Sequence, residues 1–155
     1  MAKACFAHGK DEEAKDLLQK LVRNNHDSVA LIEKAKQIFV DAGKGDEGKS
    51  LIEGNVKEII QLNNQGVMKA KEGDLDGSVQ LLTEAAEKMP DNLQIILNAA
   101  QALLVHIDQR GWNEDYMASA QRYLDTARIK SAVHPKLLSV SKLATEVTKK
   151  YGVAA

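Results

Sequence analysis

The sequence predicts an all-α fold of about seven to eight helices, and three observations carry that prediction. Apolar residues recur at helical spacing along nearly the whole chain. Runs of Val, Ile, Thr and Tyr with period-two alternation, the mark of a half-buried strand, are almost missing. The chain also repeats itself: displaced by 34 residues, "GKDEEAKDLL" (9–18) lies over "GKGDEGKSLI" (43–52) without a gap. A third copy, "GDLDGSVQLL" (73–82), has the same order of residue types. A turn glycine comes first, then acidic residues at a helix start, then a small residue (Ala14, Gly48 or Ser78), then two apolar residues.

Each element follows from its apolar spacing. Segment 12–23 carries Ala14, Leu17, Leu18, Leu21 and Val22, and segment 28–41 carries Val29, Ile32, Ala35, Ile38 and Phe39. Segment 59–72 carries Ile59, Leu62, Gly66 and Ala70, and segment 77–89 carries Val79, Leu82, Ala85 and Ala86. Helices over 93–107, 114–129 and 136–150 complete the set. Between them stand breakers: Gly43 and Gly45, Gly73-Asp74, Pro90-Asp91-Asn92, Arg110-Gly111 and His134-Pro135. From 46 to 72 two readings stay open. The turn glycines Gly43 and Gly73 are only 30 residues apart, no proline intervenes, and the apolar face runs on in phase, which favours one continuous helix. A tight turn at Gly54-Asn55 is the alternative.

Bulk properties bound the function. The chain has 155 residues, enough for one core, and 21 basic residues against 22 acidic ones give no electrostatic reason to expect nucleic acid or an anionic membrane. The single cysteine, Cys5, excludes an internal disulfide and fits a reducing, cytoplasmic setting. No apolar run approaches a membrane span.

A period of 34 with two helices per unit is the tetratricopeptide signature. The best unit, "IIQLNNQGVMKAKEGDLDGSVQLLTEAAEKMPDN" (59–92), resembles that consensus at Leu62, Gly66, Gly73-Asp74, Ser78, Leu82, Ala85 and Pro90. Gly66 is expected to face Ser78 and Ala85 at a close helix approach. The resemblance implies an α-solenoid of helix–turn–helix repeats: a truncated first repeat (1–27), a second (28–58), a third (59–92), a fourth with a longer turn (93–133) and a capping helix (134–155). Because the first turn glycine comes only nine residues in, the chain reads as a piece of a longer protein. The blocks "EIIQLNNQGVMKAKEGDLDGSVQLL", "LNAAQALL" and "RGW" also look like the helical C-terminal part of bacterial response regulators, which implies a signalling role.

Proteins of this family expose the first helix of each unit along a groove. The resemblance therefore implies a peptide-binding lining of Ile32, Glu33 and Lys36, then Asn63, Asn64, Val67 and Lys71, then Leu97, Asn98 and Gln101. The side-chain amides offer donors and acceptors suited to a peptide backbone. Some relatives hold a C-terminal carboxylate with Lys, Asn and Arg. Asn98 matches the asparagine of that clamp, whereas basic partners in the following helix are expected to be absent.

Other chemistry is weak in the sequence. "GKGDEGKS" (43–50) fits the P-loop pattern letter for letter, but that motif needs a strand before it and a helix after it. The preceding "KAKQIFVDA" is helical by pattern, and Asp46 and Glu47 would add negative charge beside a phosphate. The histidines His8, His26, His106 and His134 form no metal-ligand spacing. No serine sits in a nucleophile elbow. Trp112 reads as a turn aromatic covering the end of a helix pair, with a partner contact as the alternative. The sequence thus points to a non-enzymatic protein–protein interaction module without cofactor or metal, with a protein or peptide partner. A homodimer-forming module and a P-loop nucleotide-binding protein are the alternatives.

Overall fold

The computed structural model describes residues 1–25 and 28–153, and at positions 24, 29 and 55 the backbone alone. His26 and the side chains of Val29 and Asn55 thus lie outside the described residues. Eight helices and no strand are present among them: α1 (Ala2–Ala7), α2 (Asp11–Asn24), α3 (Val29–Asp41), α4 (Gly45–Lys71), α5 (Leu75–Lys88), α6 (Leu93–Arg110), α7 (Glu114–Lys130) and α8 (Pro135–Lys150).

The sequence repeat is a structural repeat at its turns. Gly9, Gly43 and Gly73 have φ of 72°, 73° and 84°, a left-handed conformation that only glycine adopts without cost. The residue after each glycine donates its N–H back to a carbonyl five residues earlier: Lys10 to Cys5 at 2.9 Å, Lys44 to Phe39 at 2.8 Å and Asp74 to Lys69 at 3.0 Å. Each glycine N–H returns to the carbonyl three residues back. This is the Schellman helix stop, made at these three turns and again at Gly152, where Val153 donates to the Thr148 carbonyl at 3.2 Å. The next helices begin on side-chain caps where the sequence supplies them. Asp74, Asn92 and Asn113 accept from the N–H three residues on, at 2.9, 3.0 and 3.0 Å.

Helix α4 runs unbroken for 27 residues, about 40 Å at 1.5 Å per residue. Gly54 does not turn the chain, so the repeat boundary placed at 58/59 falls inside a helix. The chain divides into two compact units, Met1–Ile60 and Gln61–Ala155, and α4 supplies residues to both.

The Met1–Ile60 unit is closed around Leu18, Val22, Ala35, Phe39 and Ile52. These are the inward positions of α2, α3 and α4 at the predicted helical spacing. Phe6 meets Phe39 edge-on, with ring centroids 5.5 Å apart. Gly48 lets α4 approach: a Cβ there would lie 2.1 Å from Phe39 Cγ.

The Gln61–Ala155 unit is built on α6, which packs against α5, α7 and α8 and buries Ile95, Ile96, Leu97, Leu103, Leu104 and Ile107. Ala120, Leu124 and Ala127 of α7 are buried at the same spacing as Ser78, Leu82 and Ala85 of α5. Gly66 does make a close contact with α5: a Cβ there would meet Leu82 Cγ, the nearest atom, at 2.6 Å. The last helix is tied down at its end. Tyr151 Oη donates to the Ile107 carbonyl at 2.9 Å, and Lys150 Nζ meets the Asp108 carboxylate at 2.6 Å. Trp112 tilts against the Tyr151 ring, with centroids 6.0 Å apart.

Candidate functional site

Most of the predicted groove residues of the Gln61–Ala155 unit do converge. Val67 and Lys71 of α4 and Asn98 and Gln101 of α6 line one cleft of about 430 Å³. Its other walls are apolar, with Leu75 and Leu82 of α5 and Ala102 and Val105 of α6. Gln94 and Lys136 stand among its polar residues.

The polar residues form a ladder across three helices. Asn98 Nδ2 donates to Asn63 Oδ1 at 2.7 Å, and Gln94 Nε2 donates to Asn98 Oδ1 at 3.2 Å. Lys136 Nζ, from the first turn of α8, donates to the same Asn98 oxygen. Asn98 is 6 % exposed, so its amide is held by these partners and not by bulk water. Asn64, exposed, accepts from Asn63 Nδ2 at 3.5 Å. The sequence looked for a basic partner of Asn98 in the following helix; Lys136 comes instead from α8, two helices on. The residue missed is Lys136, and its signal was Pro135. A proline at the first position of a helix fixes where α8 begins, which puts residue 136 where Gln94 stands in α6, one residue after the helix start.

Lys136 is electrostatically distinctive. It is half-buried, and burial alone pushes its pKa below the usual lysine value. Among the described residues no carboxylate lies within ion-pairing distance of it; its anchor is a neutral amide oxygen. A desolvated ammonium held by amides favours an anion.

Other predicted positions go elsewhere. Leu97 is fully buried in the core and lines nothing. Ile32 packs on the Met1–Ile60 core. Lys36 is engaged by Glu33 at 3.2 Å and Glu53 at 3.7 Å, so Glu33 and Lys36 form an ion-paired surface in the other unit. Sequence reasoning also missed Ser78 and Leu82 among the lining residues, because helical periodicity marks them only as core.

The P-loop match has helix α3 before it and no strand among the described residues. Its first N–H groups are already used: Gly43 donates to Val40 at 2.9 Å, Lys44 to Phe39 at 2.8 Å and Gly48 to Lys44 at 2.9 Å. Lys44 Nζ pairs with Asp11 at 2.8 Å. The histidines are dispersed. His106 bonds Asp76 at 2.8 Å, and His134 caps α8 by accepting from the Lys136 N–H at 3.2 Å. Among the described residues no group of three or more His, Cys, Asp or Glu could hold a metal ion. No helix is long and apolar enough to cross a membrane among the described residues. No family model matches the chain, and neither the curated proteins nor the solved structures contain a match to it.

Proposed function

We propose that the chain is a non-enzymatic, tetratricopeptide-like interaction module. Its Gln61–Ala155 unit takes an extended peptide in the α4–α6–α8 cleft, with a carboxylate of that peptide beside Lys136. The observation that carries this reading is the half-buried Lys136, fixed by Asn98 and without an acidic partner among the described residues. The Asn63–Asn98–Gln94 amides supply donors and acceptors for a peptide backbone, and the Val67, Leu82 and Val105 surface supplies apolar burial. Bacterial signalling and a cytoplasmic location, implied by the resemblance to response-regulator C-terminal regions, are the setting we attach to it. Neither nucleic acid, a membrane nor a cofactor enters this reading.

Binding to an array of peptides with free or amidated C-termini tests it. Wild-type chain is expected to retain a set of peptides that require a carboxylate. Lys136→Met and Asn98→Ala are expected to lose that set. Retention indifferent to both substitutions rejects the proposal.

One observation favours a second reading, homo-oligomerisation. Met68, a large apolar side chain of α4, is 51 % exposed. Light scattering on the purified chain distinguishes a dimer from a monomer.

A further inference from the structure

The surroundings of Lys136 disfavour its charge from several sides. It stands in the first turn of α8, the positive end of the helix dipole, where no acidic residue offsets that field. His134, the N-cap, accepts the Lys136 backbone N–H on Nδ1 and brings no negative charge. Lys136 lines the cleft, and the other charged residue lining it is Lys71, a second cation. The acceptor for Nζ is the neutral Asn98 oxygen, which Gln94 shares. Other lysines of the same unit differ: Lys69, Lys130 and Lys150 pair with Asp74, Asp91 and Asp108. A carboxylate partner holds the third proton on an ammonium. An amide oxygen accepts from the neutral amine as well and leaves the nitrogen lone pair free. The direction of the Lys136 pKa, lowered by burial, agrees with that geometry.

A lysine desolvated in an apolar cleft beside another cation is an activated nucleophile. We infer that Lys136 is a site of acylation, taking the acyl group of a small acyl phosphate. The Nζ lone pair attacks the acyl carbon, an N–C bond forms, and the bond from that carbon to the bridging oxygen breaks. Phosphate leaves with the electron pair and with the proton that Nζ gives up. The cleft suits both ends of this exchange. Lys71 and Lys136, with no acid among the lining residues, favour an anionic donor. The apolar walls favour the neutral amide product over a desolvated ammonium. The product keeps one N–H, enough to bond the Asn98 oxygen. The consequence for binding rests on the peptide reading above. Acylation deletes the cation that the peptide carboxylate needs, and a bound carboxylate, by holding the proton on Nζ, shields it from acylation.

The test incubates the full wild-type chain with acetyl phosphate and reads the acetylation rate at each lysine by mass spectrometry of proteolytic peptides. Near neutral pH, Lys136 is expected to react at least about threefold faster than the exposed Lys34, Lys49 and Lys57. Its rate is expected to level off at a lower pH than theirs, which access alone would not produce. Asn98→Asp sets a carboxylate of the same size beside Nζ and is expected to remove the advantage. A thermal melt verifies folding of that variant; should it melt early, the wild-type pH profile decides alone. A Lys136 rate no greater than those of the three reference lysines, or a pH profile parallel to theirs, overturns this inference and leaves the carboxylate reading to the peptide array. An advantage that survives in folded Asn98→Asp overturns it too. Fast acetylation of Lys136 that leaves peptide retention unchanged upholds the site and rejects the carboxylate reading.

Discussion

In the Met1–Ile60 unit three lysines at helix contacts are matched by acids on neighbouring helices. Lys3 meets Asp41 at 2.9 Å, Lys15 meets Glu12 at 2.8 Å and Glu47 at 2.5 Å, and Lys44 meets Asp11 at 2.8 Å. Those carboxylates raise the Lys15 pKa, hydrogen bonds to Glu12 and then Glu47 being the largest causes. In the Gln61–Ala155 unit, Lys136 has only an amide oxygen, and burial lowers its pKa. The two units share the same glycine stop and helical spacing. What differs is Lys136 itself, since Lys69, Lys130 and Lys150 of its own unit pair with Asp74, Asp91 and Asp108. The same turn chemistry recurs in both units, and Lys136 is where the proposed peptide carboxylate would sit.

The largest expected effect lies in the closed unit. Phe39→Ala removes the largest fully buried side chain of that core and should cost about 3–5 kcal/mol in urea denaturation. A loss below 1 kcal/mol would mean that the core cluster is misassigned. The glycines of α4 compare the two units next. Ala at Gly48 would drive a Cβ to 2.1 Å from the Phe39 ring, and Ala at Gly66 to 2.6 Å from Leu82. Both should destabilise, by about 1–3 kcal/mol, with Gly48 the worse. Gly54 is the contrast, because nothing lies within 4 Å of its Cβ position. Gly54→Ala should stabilise by about 0.5–1 kcal/mol through helix propensity alone, and a fall in Tm would show that α4 is not continuous there.

The smallest effect is electrostatic. The Gly77 N–H, and then Lys69, hold the Asp74 carboxyl below the usual carboxylate range. A depressed folded-state pKa contributes stability that is full above the unfolded value and is lost as pH falls through the folded one. Asp74→Asn keeps a capping oxygen and removes the charge. Its Tm should lie slightly below wild type at pH 6, with the gap closing below about pH 4. A gap that stays constant down to pH 2 would assign the loss to packing.

Much of this was legible in the chain. Apolar spacing located α2 through α8, although α6, buried at every position from Ile95 to Ala100, carries no single stripe. Gly9, Gly43 and Gly73 were legible because left-handed backbone has one residue type that fits it. The continuity of α4 was readable from the in-phase run Leu51 to Ala70, although Gly54 weakened it. The cleft was half legible: Asn63, Val67, Lys71, Asn98 and Gln101 were placed, and Lys136 was not. Its role depends on a contact 38 residues away in sequence, which no local pattern encodes. Leu97 failed for the opposite reason. One residue before Asn98 on the same helix, it turns inward, and a short list of adjacent positions cannot resolve that rotation.

The most direct test of the central claim is an amide and side-chain NMR titration of the chain with a carboxylate-terminated peptide selected on the array. The account predicts that the Asn63, Asn98 and Gln94 side-chain amides and the Lys136 ammonium shift together, and that Lys136→Met removes those shifts. Shifts confined to the Met1–Ile60 unit, or unchanged by Lys136→Met, would contradict it.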